Sequence, residues 1–306
     1  MIRFGLCCIF KEHPIKFRQT TARYLSRFPL RDQRARLSEI CLTNARNLMG
    51  ALKFCFQNHI GDFRINSQIL PLKTHPEVGY DILDLPDADQ IIETFMACGL
   101  FSRNHNIRTT FHPDQFIVLS SPTPDVVNRS VADLEYQAQV AQWVNADVIN
   151  IHAGGVYGDK ASALKRLGRT INTLSDPVRK RLTLENDDQS YSPADLLPLC
   201  TRMGIPLVYD LHHHRCLKDR LTIEDATRMS VETWDREPLF HLSSPKNGWD
   251  APDIRKHHDY IDVTDLPDFW RSMDVTIEVE AKAKELAVIK LMEDLKVNGN
   301  HLADIH

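Results

Sequence analysis

Asp147-Val148-Ile149-Asn150-Ile151 runs into His152-Ala153-Gly154-Gly155, then into the amphipathic stretch Lys160–Leu174. Arg181-Leu182-Thr183-Leu184 and Glu185-Asn186-Asp187 follow. A short β-branched run, a helix-sized amphipathic segment and a second such run predict a strand–helix–strand unit. The alternation extends in both directions. Toward the N-terminus lie the runs Ile2–Ile9, Phe63–Ile65 and Ile107–Phe111, and toward the C-terminus Pro206–Leu211, Leu239–Leu242 and Val275–Val279. Between the runs fall the amphipathic segments Asp32–Gln57, Asp87–Asn104, Asp125–Asn145, Pro193–Met203 and Ile223–Glu232, with Lys282–Lys296 after the last. Ser192-Pro193, Pro86-Asp87 and Pro124-Asp125 are helix-start signals. Only Pro245–Trp270 is irregular, with loop residues and a weak helix. Eight strands alternating with helices predict a single (β/α)8 TIM barrel whose active site lies at the C-terminal ends of the strands. A doubly wound sheet would need a Gly-rich turn after an early strand, and none is present.

Composition narrows the function. The chain has 306 residues, 42% hydrophobic and 25% charged, with a net charge of −4. That is globular composition and does not suit a protein that coats nucleic acid by bulk charge. The charge is uneven, however: residues 1–64 carry 12 Lys/Arg against 4 Asp/Glu, and the rest 25 against 37. A basic N-terminal third points to a polyanionic partner or to a solvated helical face. No apolar run approaches the ~20 residues of a membrane span. The N-terminus lacks a signal-peptide pattern, so the expected location is the cytoplasm of a bacterium. Seven cysteines without a CxxC pattern read as reduced packing thiols and exclude zinc-finger chemistry. The expected organisation is one barrel over residues 1–297 and a short tail, 298–306, in a monomer.

Polar residues unsuited to a core gather where the strands end. His112 follows the third run, His152 closes the fourth and Glu185 the fifth. Asp210-Leu211-His212-His213-His214 closes the sixth, His241 the seventh, and Glu278 and Glu280 the eighth. Taken singly, each has a structural explanation: a hydrogen-bonded loop histidine, a capping carboxylate, a solvated turn at 212–214. Together they form a set of imidazoles and carboxylates that converges on one barrel mouth. Crowded buried carboxylates repel one another unless cations sit among them. A multinuclear divalent site with mixed His and carboxylate ligands resolves that cost. Two or three such ions suit phosphodiester hydrolysis, activating water at one side and neutralising the leaving oxygen at the other. No phosphate-binding glycine loop, GxGxxG or nucleophile elbow is present, which argues against nucleotide cofactors.

The ordered motifs resemble the UV damage endonuclease family. They are Ile2-Arg3-Phe4-Gly5-Leu6, His112-Pro113-Asp114-Gln115-Phe116, Ile151-His152-Ala153-Gly154-Gly155, Leu184-Glu185-Asn186-Asp187, Asp210-Leu211-His212-His213, His241-Leu242-Ser243-Ser244, His257-His258-Asp259-Tyr260-Ile261 and Glu280-Ala281-Lys282-Ala283-Lys284-Glu285. The resemblance spans residues 2 to about 296. It implies an endonuclease IV-like barrel with three divalent ions, manganese first and magnesium, cobalt or zinc as alternatives. It implies nicking of UV-damaged duplex DNA immediately 5′ of cyclobutane pyrimidine dimers and 6-4 photoproducts, without ATP. By resemblance, one ion would be held by His112, His152 and the bridging Glu185, and a second by Glu185, Asp210, His241 and Glu280. The third would be held by His213 and His257, with His258 as the alternative. Glu185 and Glu280 would be the catalytic carboxylates, His75 a further active-site histidine, and Gln115 and Phe116 the pair that probes the lesion.

Two positions depart from the family pattern. A lysine that is often carboxylated stands two residues before the His241 equivalent; here the residue is Leu239. An aromatic often follows the N-terminal glycine, and here it is Leu6, a change expected to affect DNA contact. Two other readings remain: a divalent-metal sugar isomerase or epimerase on the same barrel, and a damage-binding barrel without turnover.

Overall fold

The computed structural model describes residues 2–297; the expected tail, 298–306, and Met1 lie outside the described residues. Eight strands, β1 (Ile2–Cys7), β2 (Asp62–Ile65), β3 (Arg108–Phe111), β4 (Val148–His152), β5 (Leu182–Glu185), β6 (Leu207–Asp210), β7 (Leu239–Leu242) and β8 (Val275–Val279), close in sequence order into a parallel barrel. β8 pairs back onto β1 from Ile2↔Val275 to Leu6↔Val279. The helices are α1 (Ala22–Leu25), α2 (Leu30–Gln57), α3 (Ala88–Asn104), α4 (Pro124–Val144), α5 (Lys160–Ile171), α6 (Asp176–Arg179), α7 (Pro193–Met203), α8 (Leu211–Cys216), α9 (Ile223–Val231) and α10 (Glu285–Val297). All eight expected strands and all seven expected helices are present.

The boundaries that differ have local causes. β1 stops at Cys7, short of Ile9, because Cys8 takes a left-handed φ of 53° that a strand cannot continue through. α10 starts at Glu285, three residues late, because Lys284 has φ 53°. The four-residue α1 and α6 are too short to show a helical period. The Pro245–Trp270 span forms no α-helix; 3₁₀ turns at Val263–Asp265 and Asp268–Ser272 take its place. Where start signals were strong they act as expected. Ser192 and Asp195 form a reciprocal capping box with Pro193 at the first helical position of α7.

The barrel has two apolar surroundings and one polar interior. Residues facing the helices, such as Phe4, Leu6, Phe63 and Ile277, are buried in the main core. Leu6 is therefore packing, not a DNA contact: period-2 alternation turns it outward with Phe4, under the helix layer. Residues facing inward are layered. Val148, Val208 and Leu239 form a separate, fully buried apolar cluster, with Trp234 packed against it. Beside them the Arg108 guanidinium bonds Thr276 Oγ1 (3.0 Å), whose hydroxyl bonds Glu237 (2.6 Å). Next comes Asp62, whose carboxylate lies where a Cβ on Gly5 would collide with it. That close approach requires glycine at position 5. The histidines and carboxylates expected of the active site cap the stack at the strand C-termini. The seven cysteines are all free, and five of them are buried.

Candidate active site

Strand register assembles the site. His152 pairs with Glu185 across β4–β5, Asp210 with His241 across β6–β7, and His241 with Glu278 across β7–β8. In a parallel ladder, paired residues project to the same side, so neighbouring strands deliver their polar ends to one interior level.

Glu185 is the hub. Its Oε2 lies 2.8 Å from His112 Nε2 and accepts from Asn150 Nδ2 at 2.5 Å; its Oε1 lies 3.1 Å from His241 Nδ1 and 3.4 Å from His213 Nδ1. Burial alone would push this carboxyl up. The facing imidazoles of His241, His152 and His112 outweigh burial and hold it well below the usual carboxylate range. The same contest governs its partners. Burial would depress His241, but Glu185 and Glu280 raise it to about 10. Burial would depress His213, but Asp210 and Glu185 carry it well above its ordinary value. His152 goes the other way, lowered because burial prevails.

Asp210 does two jobs. Its Oδ1 accepts from His213 N (2.7 Å), capping α8, while its buried Oδ2 has no hydrogen bond and lies 3.4 Å from His213 Nδ1. The His212–His214 segment is thus part of a short capped helix and not a solvated turn. His212 and His214 are buried in it, and His214 Nδ1 lies 2.7 Å from the Tyr209 hydroxyl. A six-residue helix capped by a strand's last residue leaves no periodic signal.

Three overlapping sets of ligand atoms converge: His112, His152 and Glu185; His112, His241 and Glu280; Glu185, Asp210 and His213. Within each set, the atoms lie within 4.8 Å of one another. The donors are imidazoles and carboxylates in the mixture that divalent transition ions prefer. His152 Nδ1 and Asp210 Oδ2 are buried without a hydrogen-bond partner, an arrangement that is costly unless a cation accepts those lone pairs. The residues present therefore fit divalent ions. His257 stands at the edge of the group, its Nδ1 3.8 Å from Glu280 Oε2 and its ring 6.3 Å from that of His213. His258 is exposed and its Nδ1 accepts from Tyr260 N, so His257 is the one that faces the cluster.

Arg64 is a residue of this site that sequence reasoning missed, and Glu278, placed at a strand end, gains its role only from its neighbours. Arg64 donates to Glu278 Oε2 through Nε (2.5 Å) and to Glu280 Oε1 through Nη1 (2.7 Å), and its Nη2 lies 2.8 Å from His241 Nε2. Glu278 accepts from Thr110 Oγ1 (2.5 Å) and lies 3.1 Å from His241 Nε2. It is the carboxylate behind the histidine, the group that sets which ring nitrogen faces a metal. Arg64 and His241 outweigh burial at Glu278 and hold it at about 2. The available signal was alternation: Asp62 and Arg64 on β2, Thr276, Glu278 and Glu280 on and after β8, polar at every second residue. Asp62 contrasts with them. Burial and the Glu278 charge push its carboxyl well above the usual carboxylate range.

The remaining expected residues lie on the rim. His75, in the loop after β2, accepts backbone N–H bonds from Glu77 and Val78 through Nδ1 and stands apart from the histidine–carboxylate cluster. Asp114 Oδ1 accepts from Phe116 N (3.1 Å) and Asp114 O from Ile117 N (2.9 Å), a tight turn that presents Gln115 and Phe116 outward. Phe116 is 76% exposed, which removes the reading of this ring as core packing. Leu239, in contrast, is fully buried in its apolar layer.

The UV-endonuclease UvdE family model matches residues 2–304. The chain belongs to that family. Among its relatives, the UV DNA damage endonuclease of Bacillus pumilus (strain SAFR-032) is 34% identical over 294 residues, 92% of this chain and 89% of that protein. The solved structure of SacUVDE superposes with a TM-score of 0.87 at 26% identity, covering 98% of this chain and all of that one. Endonuclease IV from Thermus thermophilus shares the fold at TM-score 0.62 and 14% identity, over 96% of this chain and 98% of that one. Membership in an endonuclease family decides against the sugar isomerase reading. No helix among the described residues is long and apolar enough to cross a membrane.

Proposed function

We propose that this chain nicks duplex DNA immediately 5′ of UV photoproducts, cyclobutane pyrimidine dimers and 6-4 photoproducts alike, without ATP, as a monomer using three divalent ions, manganese foremost. The span His112–Phe116 carries the proposal. Its first residue points an imidazole at Glu185, and its last holds a phenyl ring out to solvent. Chemistry and lesion probing are thereby coupled through one short segment.

Divalent ions bound here would polarise the scissile phosphate and lower the pKa of water. His112, His152 and Glu185 would hold one, Glu185, Asp210, His241 and Glu280 a second, and His213 and His257 a third. Glu185, fully buried, would be shared between two of them; Glu280, partly exposed at the mouth, is oriented by Arg64. His75 contributes to the rim of the active site. Photoproducts weaken stacking and pairing, so displacing damaged bases costs less than displacing normal ones. Phe116 enters the gap that the displaced bases leave, as apolar wedges do to offset a few kcal/mol of unstacking per step, and Gln115 bonds the exposed base edges.

The test is nicking of supercoiled plasmid, irradiated or not, with manganese and no ATP, together with an end-labelled duplex carrying one photoproduct. Selective relaxation of irradiated plasmid and a cut on the 5′ side support the proposal. Equal nicking of both plasmids, or a cut elsewhere, overturns it. Tight lesion binding with no cut would make the chain a damage-binding barrel.

A further inference from the structure

Resting on that reading, we infer that the corner between α1 and α2 is a second DNA-contact surface. It would grip the phosphates of intact duplex to one side of the lesion, so that the DNA lies asymmetrically across the mouth, over the β1–β3 rim. Residues 8–36, which follow β1, carry eight Lys/Arg and two Asp/Glu. The segment after β7, residues 243–262, carries three basic and four acidic residues. Two of those three bases are already neutralised: Lys256 by Asp253 (2.7 Å) and Arg255 by Asp188 (3.5 Å). The segment after β1 therefore carries an excess of positive charge that the segment after β7 lacks.

Within the basic segment, Arg23, Arg27 and Arg31 are exposed, and their side chains form no ion pair or hydrogen bond among the described residues. Arg18, by contrast, pairs with Glu39 (2.6 Å), and Arg34 bonds Gly79 O (3.0 Å). The three free guanidinium groups stand on a stiff support. Thr21 caps α1, Leu25 is fully buried, and the Tyr24 and Phe28 rings meet edge-on at 5.2 Å. Arg36 lies 3.9 Å over the Phe28 ring. Exposed Tyr24 (41%) and Leu30 (64%) lie between the arginines in sequence, an apolar element that base and sugar surfaces tolerate. The backbone that carries them is already ordered, so only side-chain freedom is lost when the guanidinium groups meet phosphate.

The corner is continuous with the proposed site. Gln19 and Thr20, which lead into α1, line a cleft of ≈ 240 Å³ together with Thr74, His75 and Asp114. Asp114 belongs to the turn that presents Phe116, and Gln19 Nε2 bonds Gln68 O in the loop after β2 (3.1 Å). A duplex with its lesion at Phe116 thus meets the three arginines next along this rim.

Phosphate contacts of this kind appear in the salt dependence of binding and carry no lesion information. The experiment measures the affinity of the full chain for a photoproduct duplex and its undamaged twin by fluorescence anisotropy between about 50 and 200 mM salt. The wild type is compared with Arg23→Ala/Arg27→Ala/Arg31→Ala and with the corresponding triple Lys variant. Loss of three contacts lowers the log–log slope by about 2.7, so the wild type loses about 40-fold more affinity than the Ala variant over that range. Both duplexes are affected equally, and the Lys variant keeps the wild-type slope. An unchanged slope in the Ala variant, or a loss confined to the damaged duplex, overturns the inference while leaving the proposed function intact. A wild type that neither binds nor nicks irradiated DNA removes both.

Discussion

Replacing Glu185 with Gln keeps the shape of the hub and removes its charge. The consequences for the metal-free protein follow from His241, which is fully buried and raised to about 10. Set against an unfolded value of about 6.5, that shift is worth roughly 5 kcal/mol, at about 1.4 kcal/mol per pH unit. A raised imidazole contributes this stability below the unfolded value and loses it as pH rises toward 10. Glu185 and Glu280 share the contribution, so Glu185→Gln should cost on the order of 2 kcal/mol at pH 6, about 3 °C in Tm, and much less by pH 9.5. The metal deficit is larger in effect. Glu185 belongs to two of the three ligand sets, and an amide oxygen is a poor substitute for a bridging carboxylate. Even supporting residues of metal sites cost 10- to 100-fold in affinity or activity; loss of the hub should exceed about 100-fold and leave fewer ions bound. The assays are circular dichroism melts of metal-free protein at pH 6 and 9.5, manganese content after dialysis, and nicking of irradiated plasmid. A variant with full manganese content and near-normal nicking would refute the assignment of Glu185, and a Tm loss equal at both pH values would refute the electrostatic account.

Three further outcomes are expected. Manganese binding at pH 7.5 should release roughly two protons per chain, because His213 and His241 hold protons that a ligand imidazole must give up. Affinity should therefore rise with pH between about 6.5 and 9. Calorimetry in two buffers of different ionisation enthalpy measures the release, and no release would contradict the assignment. Phe116→Ala should leave stability within about 0.5 kcal/mol of wild type and abolish the binding preference for lesion-bearing duplex, since the ring is exposed. A Tm drop of several degrees with the preference intact would mean that the ring packs. Nicking should be indifferent to bicarbonate depletion, because Leu239 is sealed in the apolar layer with Val148 and Val208 and has no amine to carboxylate. A reversible loss on depletion would place a modified lysine elsewhere.

What was legible from sequence, and what was not, divides along the range of the forces involved. Strand and helix periods are local, so the eight β/α units and their order could be read directly, as could the strand-terminal His112, His152, Glu185, Asp210, His241 and Glu280. In a barrel the connectivity itself carries every strand end to the same mouth, and for that reason an ordered set of polar endings was enough to locate the site. The facts that depend on facing partners required the closed structure. Arg64 reads as part of a basic N-terminal third; only barrel closure turns it inward, onto Glu278, Glu280 and His241, and makes it a buried cation of the site. Phe116 could have been core or rim, and the Asp114 turn decides for the rim. His257 and His258 are adjacent in sequence, yet one faces Glu280 and the other faces solvent. Leu6 follows a motif glycine but faces the helices. In each case the sequence names the side chain, while its direction follows from register and closure, which couple strands more than 200 residues apart.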